Sequence, residues 1–288
     1  MKFGLGFATS GAFSNPDLLG HLAITAERCG FESLWSVEHV AVPVNHTPYA
    51  TTKDGKMPGG DDVAIPDPLI PLAYVAAITK TIKLATGILI LPQRHPIYTA
   101  KEVATVDVLS RGRAILGIGS GWMKEEFESL GIDFHRRGAI TDEAIQALRA
   151  LWREGTSSFE GRHFKFGPLH SYPKPVNHNV PIHVGGHSTA AAKRAGRYGD
   201  GFFPNAINPE RLKDLFALVR SEAQKAGRNP DAIEFSCLTR SVKPDDLKML
   251  ADMGVSRIVV NPPGTKPEAV TRGLEKFQEE VISVAEKI

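Results

Sequence analysis

Short apolar runs alternate with segments of helical periodicity along nearly the whole chain. The first run is Lys2–Phe7, and Leu18 and Leu22 then lie four residues apart on one helix face. Asn15-Pro16 in front of that segment provides an N-cap and a proline at the first helical position. The pattern therefore predicts a β-strand followed by an α-helix.

The same alternation continues to the end of the chain and predicts eight strand–helix units. The predicted strands are Lys2–Phe7, Glu32–Glu38, Ile82–Leu91, Arg113–Ile118, Pro181–Val184, Asp200–Pro204, Ile233–Arg240 and Val255–Asn261. Helices are predicted to begin near Asn15, Pro68, Ile97, Ala139, Thr189, Asn208 and Pro244, and the last at a capping box, Thr265–Glu268. Eight units in 288 residues predict a closed (β/α)8 TIM barrel, with residues 1–288 as a single domain. A doubly wound open sheet is the alternative, but the sequence lacks its dinucleotide fingerprint.

Two connections are much longer than a usual loop. One is Val40–Asp67, after the second predicted strand, and the other is Gly155–Val180, before the fifth. Connections of this length are often functional, so we expect either of them to form a lid or a substrate wall. A simple surface excursion is the alternative, although the aromatic residues in the second segment indicate that it packs.

Composition narrows the class of protein. The chain is 42% apolar and 23% charged, and 34 basic residues against 32 acidic ones give a net charge of +2. That balance argues against a nucleic-acid or membrane-surface partner. Cys29 and Cys237 form neither a disulfide framework nor a CxxC metal motif, the sequence holds no 18-residue apolar stretch, and we expect no signal peptide. We therefore expect a cytoplasmic protein that acts on a small molecule.

Active sites of barrel enzymes lie at the C-terminal ends of the strands, where the second predicted strand ends in Glu38-His39. A histidine in that position can donate or accept a proton near neutral pH. On this interpretation His39 is the catalytic acid or base, and Glu38 orients its imidazole. The alternative is a structural histidine that caps the strand.

Two glycine-containing turns follow other predicted strands. Gly119, Ser120 and Gly121 come after one strand, where alternating glycines let the backbone approach a ring or a phosphate. Gly185, Gly186, His187 and Ser188 follow another and precede an alanine-rich helix, whose N-terminus can hold a phosphate. Ordinary strand-ending turns are the alternative for both. No metal-binding motif stands out, so we expect no metal site.

Several short motifs occur in the order and spacing of a known family. They are Gly30–Trp35, Glu38-His39, Ile82–Ile88 with Leu91-Pro92, Ser110–Arg113, Leu116–Trp122, Phe159–Phe164, Pro173–Pro175, Pro181–Gly186 and Asp200-Gly201. Together they cover nearly the whole chain, which resembles the luciferase-like monooxygenase superfamily and, within it, the branch that uses the deazaflavin coenzyme F420.

The resemblance implies a barrel whose upper end binds a flavin-type ring with a phosphate-bearing tail. In similar proteins a non-proline cis peptide bond lies against the ring, and by position it is Gly87–Ile88 here. Thr86, Gly87 and Ile88 are then expected to back the ring, and Gly119–Gly121 to line its edge or tail. The Gly185–Ser188 turn is expected to hold phosphate, and His39 to lie near the reactive carbon. Similar proteins are often dimers, so we expect a homodimer.

One departure from the family bears on the substrate. F420-dependent sugar-phosphate dehydrogenases have a glutamate directly after the glycine motif, where this chain has Trp122, and the nearest acids are Glu125 and Glu126. An apolar patch, Val40–Pro43, replaces an aromatic residue after His39. These differences argue against glucose 6-phosphate and favour a less polar substrate.

Four functions remain as hypotheses. The leading one is an F420-dependent oxidoreductase that transfers hydride to or from a small organic substrate, with proton transfer at His39. The second is a monooxygenase that uses reduced FMN and oxygen. A non-catalytic flavin-binding protein is the third. A metal-dependent or Schiff-base barrel lyase is the fourth and rests on fold analogy alone.

Overall fold

The computed structural model describes residues 1–49, 52–205, 208–240 and 242–285. Its strands are β1 (Lys2–Leu5), β2 (Ser33–Ser36), β3 (Lys83–Thr86), β4 (Leu89–Ile90), β5 (Ala114–Gly119), β6 (Ser157–Glu160), β7 (Lys165–Leu169), β8 (Ile182–Gly185), β9 (Gly201–Phe203), β10 (Glu234–Leu238) and β11 (Val255–Val260). Its helices are α1 (Pro16–Arg28), α2 (Leu69–Ile78), α3 (Pro96–Leu109), α4 (Lys124–Ser129), α5 (Arg137–Trp152), α6 (Thr189–Tyr198), α7 (Pro209–Lys225), α8 (Pro244–Asp252), α9 (Pro267–Phe277) and α10 (Ser283–Ala285). None of the helices in these ranges is long and apolar enough to cross a membrane.

The parallel strands form a closed barrel. Their order is β3-β2-β1-β11-β10-β9-β8-β5, and a further pairing between β3 and β5 joins the two ends. The short β4 continues along β5 above β3, so that β3 and β4 together occupy one of eight positions. The predicted (β/α)8 barrel is therefore confirmed.

The predicted strand Ile82–Leu91 is interrupted. Strand β3 ends at Thr86 and β4 resumes at Leu89, and between them the Gly87–Ile88 peptide bond is cis, as the family resemblance implied. The Thr86 carbonyl oxygen lies so close to Gly117 that a Cβ atom at residue 117 would overlap it. The apolar run correctly predicted that this segment is buried, but nothing in its pattern indicated the interruption between Thr86 and Leu89.

Helix starts follow their predicted caps in most places. Asn15 and Ser188 accept hydrogen bonds from first-turn amides of α1 and α6. The capping box predicted at Thr265–Glu268 is wrong. Helix α9 begins at Pro267, and the preceding Lys266 makes no side-chain cap hydrogen bond. The proline, with its fixed φ, defines the first helical position there.

The second long insertion forms an antiparallel hairpin of β6 and β7 on the outer flank of the barrel. It follows α5, so it leaves the barrel at the N-terminal ends of the strands. The Glu143 carboxylate on α5 accepts hydrogen bonds from the amides of Arg162, His163 and Phe164 at 2.9, 2.7 and 2.6 Å. This hairpin packs, as its aromatic residues predicted, but contributes no residue to the cavity described below.

The lower end of the barrel contains a buried ion cluster. The Arg257 side chain is 2% exposed and donates to both carboxylate oxygens of Glu32 at 2.8 Å. It also donates to Glu234, whose other oxygen accepts from Lys2 at 2.9 Å. Above the cluster, the rings of Trp35 and Phe203 stack in the barrel interior with centroids 4.4 Å apart. The charges at this end are thus paired within the protein.

Candidate active site

A cavity of about 210 Å³ opens at the C-terminal ends of the strands. Its wall is formed by Phe7, Ser10, Val37, Glu38, His39, Tyr49, Met57, Pro58, Val63, Ile65, Gly87, Ile88, Ile90, Gly121, Trp122, Asn205 and Leu238. Two other depressions lie at the opposite end of the barrel, around Lys2 and Gly254. Because barrel enzymes carry their chemistry at the C-terminal end, the upper cavity is the candidate active site.

His39 enters this cavity paired with a carboxylate. Its Nδ1 lies 3.0 Å from Oε2 of Glu126, at the start of α4, and the two side chains are 10% and 1% exposed. The other carboxylate oxygen, Oε1, accepts hydrogen bonds from the amides of Val40 and Ala41 at 2.7 and 3.3 Å. Glu126 therefore fixes both the imidazole and the backbone that follows it.

The partner of His39 determines which ring nitrogen is free. Burial acts to raise the pKa of Glu126, but the hydrogen bond and charge of His39, together with backbone donors, more than offset it, and the net pKa is lowered. An ionised carboxylate only accepts hydrogen bonds, so Nδ1 of His39 carries a proton. Nε2 is then the nitrogen left to exchange a proton with a molecule in the cavity.

The interpretation of Glu38 as the group that orients His39 is corrected. Its carboxylate accepts from Nε and Nη2 of Arg94 at 2.8 and 2.6 Å and also from the amide of Ile90. Arg94 in turn contacts Asp67 at 2.5 Å and Glu102 at 3.2 Å. Although Glu38 borders the cavity and precedes His39 in sequence, its side chain fastens β4 to the end of β2.

Ile88 forms the floor of the cavity. A Cβ atom at Gly119 or at Gly185 would collide with the Ile88 side chain, so these two glycines leave the space that it fills. Gly87 and Ile88 both line the cavity. The two glycine motifs singled out in the sequence thus contribute to the site by accommodating Ile88.

Of the remaining residues predicted to bind the cofactor, one lines the cavity and the others do not. Gly121 lines the cavity, whereas Thr86 donates from Oγ1 to the Gly117 carbonyl at 2.6 Å and is buried. Ser120 accepts from Oγ1 of Thr141 at 3.2 Å. The other three, outside the wall, are Gly186, His187 and Ser188.

The Gly186–Ser188 turn leads into α6. Gly186 has a φ of +114°, and the Ser188 hydroxyl accepts from the amide of Ala191 at 3.1 Å. The remaining first-turn amides of an α-helix have no acceptor within the helix, and the helix dipole favours an anion beside them. This turn can therefore hold a phosphate group.

The first long insertion, residues 40–67, forms the roof of the cavity. Tyr49, Met57, Pro58, Val63 and Ile65 from this segment contribute to the wall. Their side chains are mainly apolar, and the segment meets the glycine turn through Trp122, whose ring lies edge-on to Tyr49 at 5.3 Å. Trp122 is also edge-on to His39 at 5.9 Å, so it joins the roof to the imidazole.

Polar contacts hold the roof down from outside the cavity. The Glu125 carboxylate accepts from the amide and the hydroxyl of Thr47 at 3.1 and 2.9 Å. His46 lies 2.8 Å from the Thr47 carbonyl through Nδ1 and 3.2 Å from Asp61 through Nε2. Both partners are acceptors, so both ring nitrogens donate, and the Thr47 hydrogen bond leads the contacts that raise the pKa of His46.

Sequence reasoning missed two groups of functional residues. Glu126 was noted only as a nearby acid after the glycine motif, and its place in the first turn of α4 was the available signal. The apolar residues of the roof were hidden in a segment dominated by proline, glycine and charged residues. Both groups reach the site through long-range contacts that local patterns do not encode.

A closed barrel with an apolar upper cavity and an imidazole–carboxylate pair at the cavity wall is the arrangement of a barrel enzyme. The chain matches the family model described as luciferase-like monooxygenase over residues 5–251. It is also 30% identical over 279 residues to an uncharacterised protein of Mycobacterium tuberculosis, covering 96% of this chain and 97% of that protein. The chain therefore belongs to the luciferase-like monooxygenase family.

Solved structures share the fold. The coenzyme F420-dependent tetrahydromethanopterin reductase from Methanopyrus kandleri superimposes with a TM-score of 0.77 at 21% identity, over 98% of both chains. Monooxygenase RslO1 from Streptomyces bottropensis gives a TM-score of 0.77 at 24% identity, over 98% of this chain and 99% of the other. The prediction of an oxidoreductase of this superfamily is confirmed at the level of the family.

Proposed function

We propose that the protein is an F420-dependent oxidoreductase that transfers hydride between the deazaflavin and a small organic substrate. The observation that carries this proposal is the His39–Glu126 pair at the wall of an apolar cavity. Hydride transfer to a carbonyl carbon requires a proton at the carbonyl oxygen, and the reverse reaction, from an alcohol, releases that proton. Because Nδ1 of His39 is bound to Glu126, Nε2 is the nitrogen that would exchange it. The likeness to an F420-dependent reductase supports the same choice.

The residues around the cavity fit a flat ring with an anionic tail. Gly87 and Ile88 form the floor of the cavity, and Gly119 and Gly185 leave the space that the Ile88 side chain fills. The helix N-terminus after Ser188 suits the phosphate of the tail. When bound there, the deazaflavin supplies a ring carbon that accepts or donates hydride. The protein binds the ring, excludes water under the roof, and moves a proton at His39.

An FMN-dependent monooxygenase is the second candidate. The mainly apolar roof favours it, because oxygen chemistry on a reduced flavin benefits from a site poor in water. The likeness to a monooxygenase supports it as well. A helix N-terminus that binds phosphate serves FMN and F420 equally.

A paired titration of the purified protein with F420 and FMN tests the cofactor. Dissociation constants are read from ring fluorescence. The expected result is micromolar affinity for F420, with FMN bound at least about tenfold more weakly. The opposite preference would transfer the proposal to the monooxygenase. Binding of neither cofactor would reject both candidates and the phosphate site with them.

The variant His39→Gln tests catalysis separately from binding. It should bind the preferred cofactor as the wild type does, while turnover falls about 10²–10⁴-fold, because the group that exchanges the proton is missing. The exposed residue His170 provides the control, and His170→Gln should leave both quantities unchanged. Full turnover by His39→Gln would show that His39 is not the proton donor.

A further inference from the structure

The wall of the cavity points to the charge of the substrate. We infer that the substrate is an uncharged, largely apolar compound that presents one hydrogen-bonding oxygen to His39, and that the site excludes anions such as phosphate esters and carboxylates. The reaction assumed in this inference is that of the proposed function, whereas the charge preference is argued from the residues of the wall alone.

Lysine and arginine are missing from the described part of the wall. Among the described residues that form it, none is lysine or arginine, and its polar side chains are Ser10, Glu38, His39, Tyr49 and Asn205. Arg94, which lies behind the wall, is bound by the carboxylates of Glu38, Asp67 and Glu102. An anion in the cavity would therefore lose its hydration without gaining a lysine or arginine partner, which is costly.

Negative charge near the cavity is already matched by protein donors. Glu38 accepts from Arg94 and the amide of Ile90. Glu126 accepts from His39 and the amides of Val40 and Ala41. A cationic substrate would have to displace these donors to reach a carboxylate, so the site does not favour cations either.

The roof repeats this separation of charge. Residues 40–67 include Lys53, Lys56 and Asp61, yet none of the charged side chains described in that segment lines the cavity. Asp61 instead accepts from His46 and from the amide of Met57. Met57, Val63 and Ile65 face the cavity in their place. The segment thus presents its apolar residues to the cavity, while its polar side chains bind Glu125 and one another outside it.

Three probes of nearly equal shape separate the effect of charge from that of size. They are cyclohexanecarboxamide, cyclohexanecarboxylate and protonated cyclohexylmethylamine. Binding is followed by quenching of Trp122, which lines the cavity while Trp35 and Trp152 are buried, and by calorimetry. The titrations use the protein both as purified and saturated with oxidised cofactor. We expect the carboxamide to bind about tenfold more tightly, or better, than either ion.

A variant that adds a cation to the wall sharpens the test. Val63→Lys places an ammonium group in the roof and should improve carboxylate binding relative to the carboxamide by about tenfold. Val63→Met, similar in length but uncharged, is the control and should keep the wild-type preference. Equal binding of the three probes by the wild type, tighter binding of an ion, or binding of none overturns the inference. Failure to bind F420 and FMN would reject the proposed function and leave this preference measurable on the protein alone.

Discussion

Two histidines at different levels of the barrel, His39 partly buried and His183 buried, lie in opposite electrostatic surroundings. His39 at the upper end is paired with the carboxylate of Glu126 and borders the cavity. His183 on β8 is 3% exposed, and no described residue partners its Nδ1. Burial, followed by the charge of Arg257, lowers the pKa of His183 to about 3. The same side chain is thus suited to proton exchange in one place and held neutral in the other.

The two ends of the barrel also differ in how their charged groups are paired. At the lower end Arg257, Glu32 and Glu234 satisfy one another, and no ligand is needed to complete them. At the upper end the carboxylates of Glu38 and Glu126 are satisfied, and His39, bound to Glu126 through Nδ1, lines the cavity. The lower cluster should therefore matter for stability and the upper pair for activity, and each prediction below tests one side of that division.

Removing the lower cluster should have the largest effect. Arg257→Met leaves Glu32 and Glu234 without their buried partner, and we expect the free energy of unfolding to fall by about 3 kcal/mol. This is the low end for a broken buried pair, because the two carboxylates are 26% and 24% exposed. Urea unfolding followed by circular dichroism measures the change.

The control for this variant removes the exposed partner of the same cluster. The Lys2 side chain is 47% exposed, so Lys2→Met should cost less than about 1 kcal/mol. Cofactor affinity should be unaffected by either change. Equal destabilisation by the two variants would contradict the view of Arg257 as the centre of the cluster.

Changing the partner of His39 should have the next largest effect. In Glu126→Gln, the amide oxygen is expected to keep the hydrogen bonds from Val40 and Ala41, so that its NH₂ group faces Nδ1 of His39. The imidazole must then accept at Nδ1 and carry its proton at Nε2, the reverse of the wild-type tautomer. Turnover should fall about 100-fold with little change in KM, since the geometry is kept.

Nitrogen-15 chemical shifts of the imidazole report the tautomer directly. The exposed residue Glu128 on the same helix provides the control, and Glu128→Gln should change neither shift nor rate. A Glu126→Gln protein with the wild-type tautomer and a reduced rate would mean that Glu126 acts by packing alone.

The pH dependence contributed by His183 should be the smallest of the three effects. The folded pKa lies below that of the unfolded chain, so the stabilising contribution is complete above about pH 6.5 and is lost as the pH falls towards 3. Between pH 6.5 and 5 the loss should be about 1.6 kcal/mol. His183→Gln should lose that much less stability over the same interval.

Urea unfolding of wild type and variant at several pH values measures this difference. His135→Gln, at an exposed position, is the control and should retain the wild-type pH dependence. Parallel stability curves for wild type and His183→Gln would contradict a neutral, buried His183.

Local patterns predicted the architecture well, because each strand–helix unit of a barrel is short and is marked by its own apolar run and helix cap. The helix α6 was predicted to begin at Thr189, where the structure has it, since the serine before it is a good cap. The predicted strand Ile82–Leu91 was wrong in its middle, where the structure has a break between β3 and β4. The residues on both sides are apolar, so the sequence pattern does not show this break. The capping box at Thr265–Glu268 failed because Pro267 competes for the helix start.

By itself, the sequence determined the eight strand–helix units, the glycines beside the floor of the site and His39 at a strand end. Only the tertiary structure decided which acid serves that histidine. The sequence neighbour Glu38 bonds to Arg94, 56 residues away, and His39 bonds to Glu126, 87 residues away. Secondary structure follows from interactions within a few residues, whereas barrel closure brings the ends of separate strands together and so chooses the partners of buried charges.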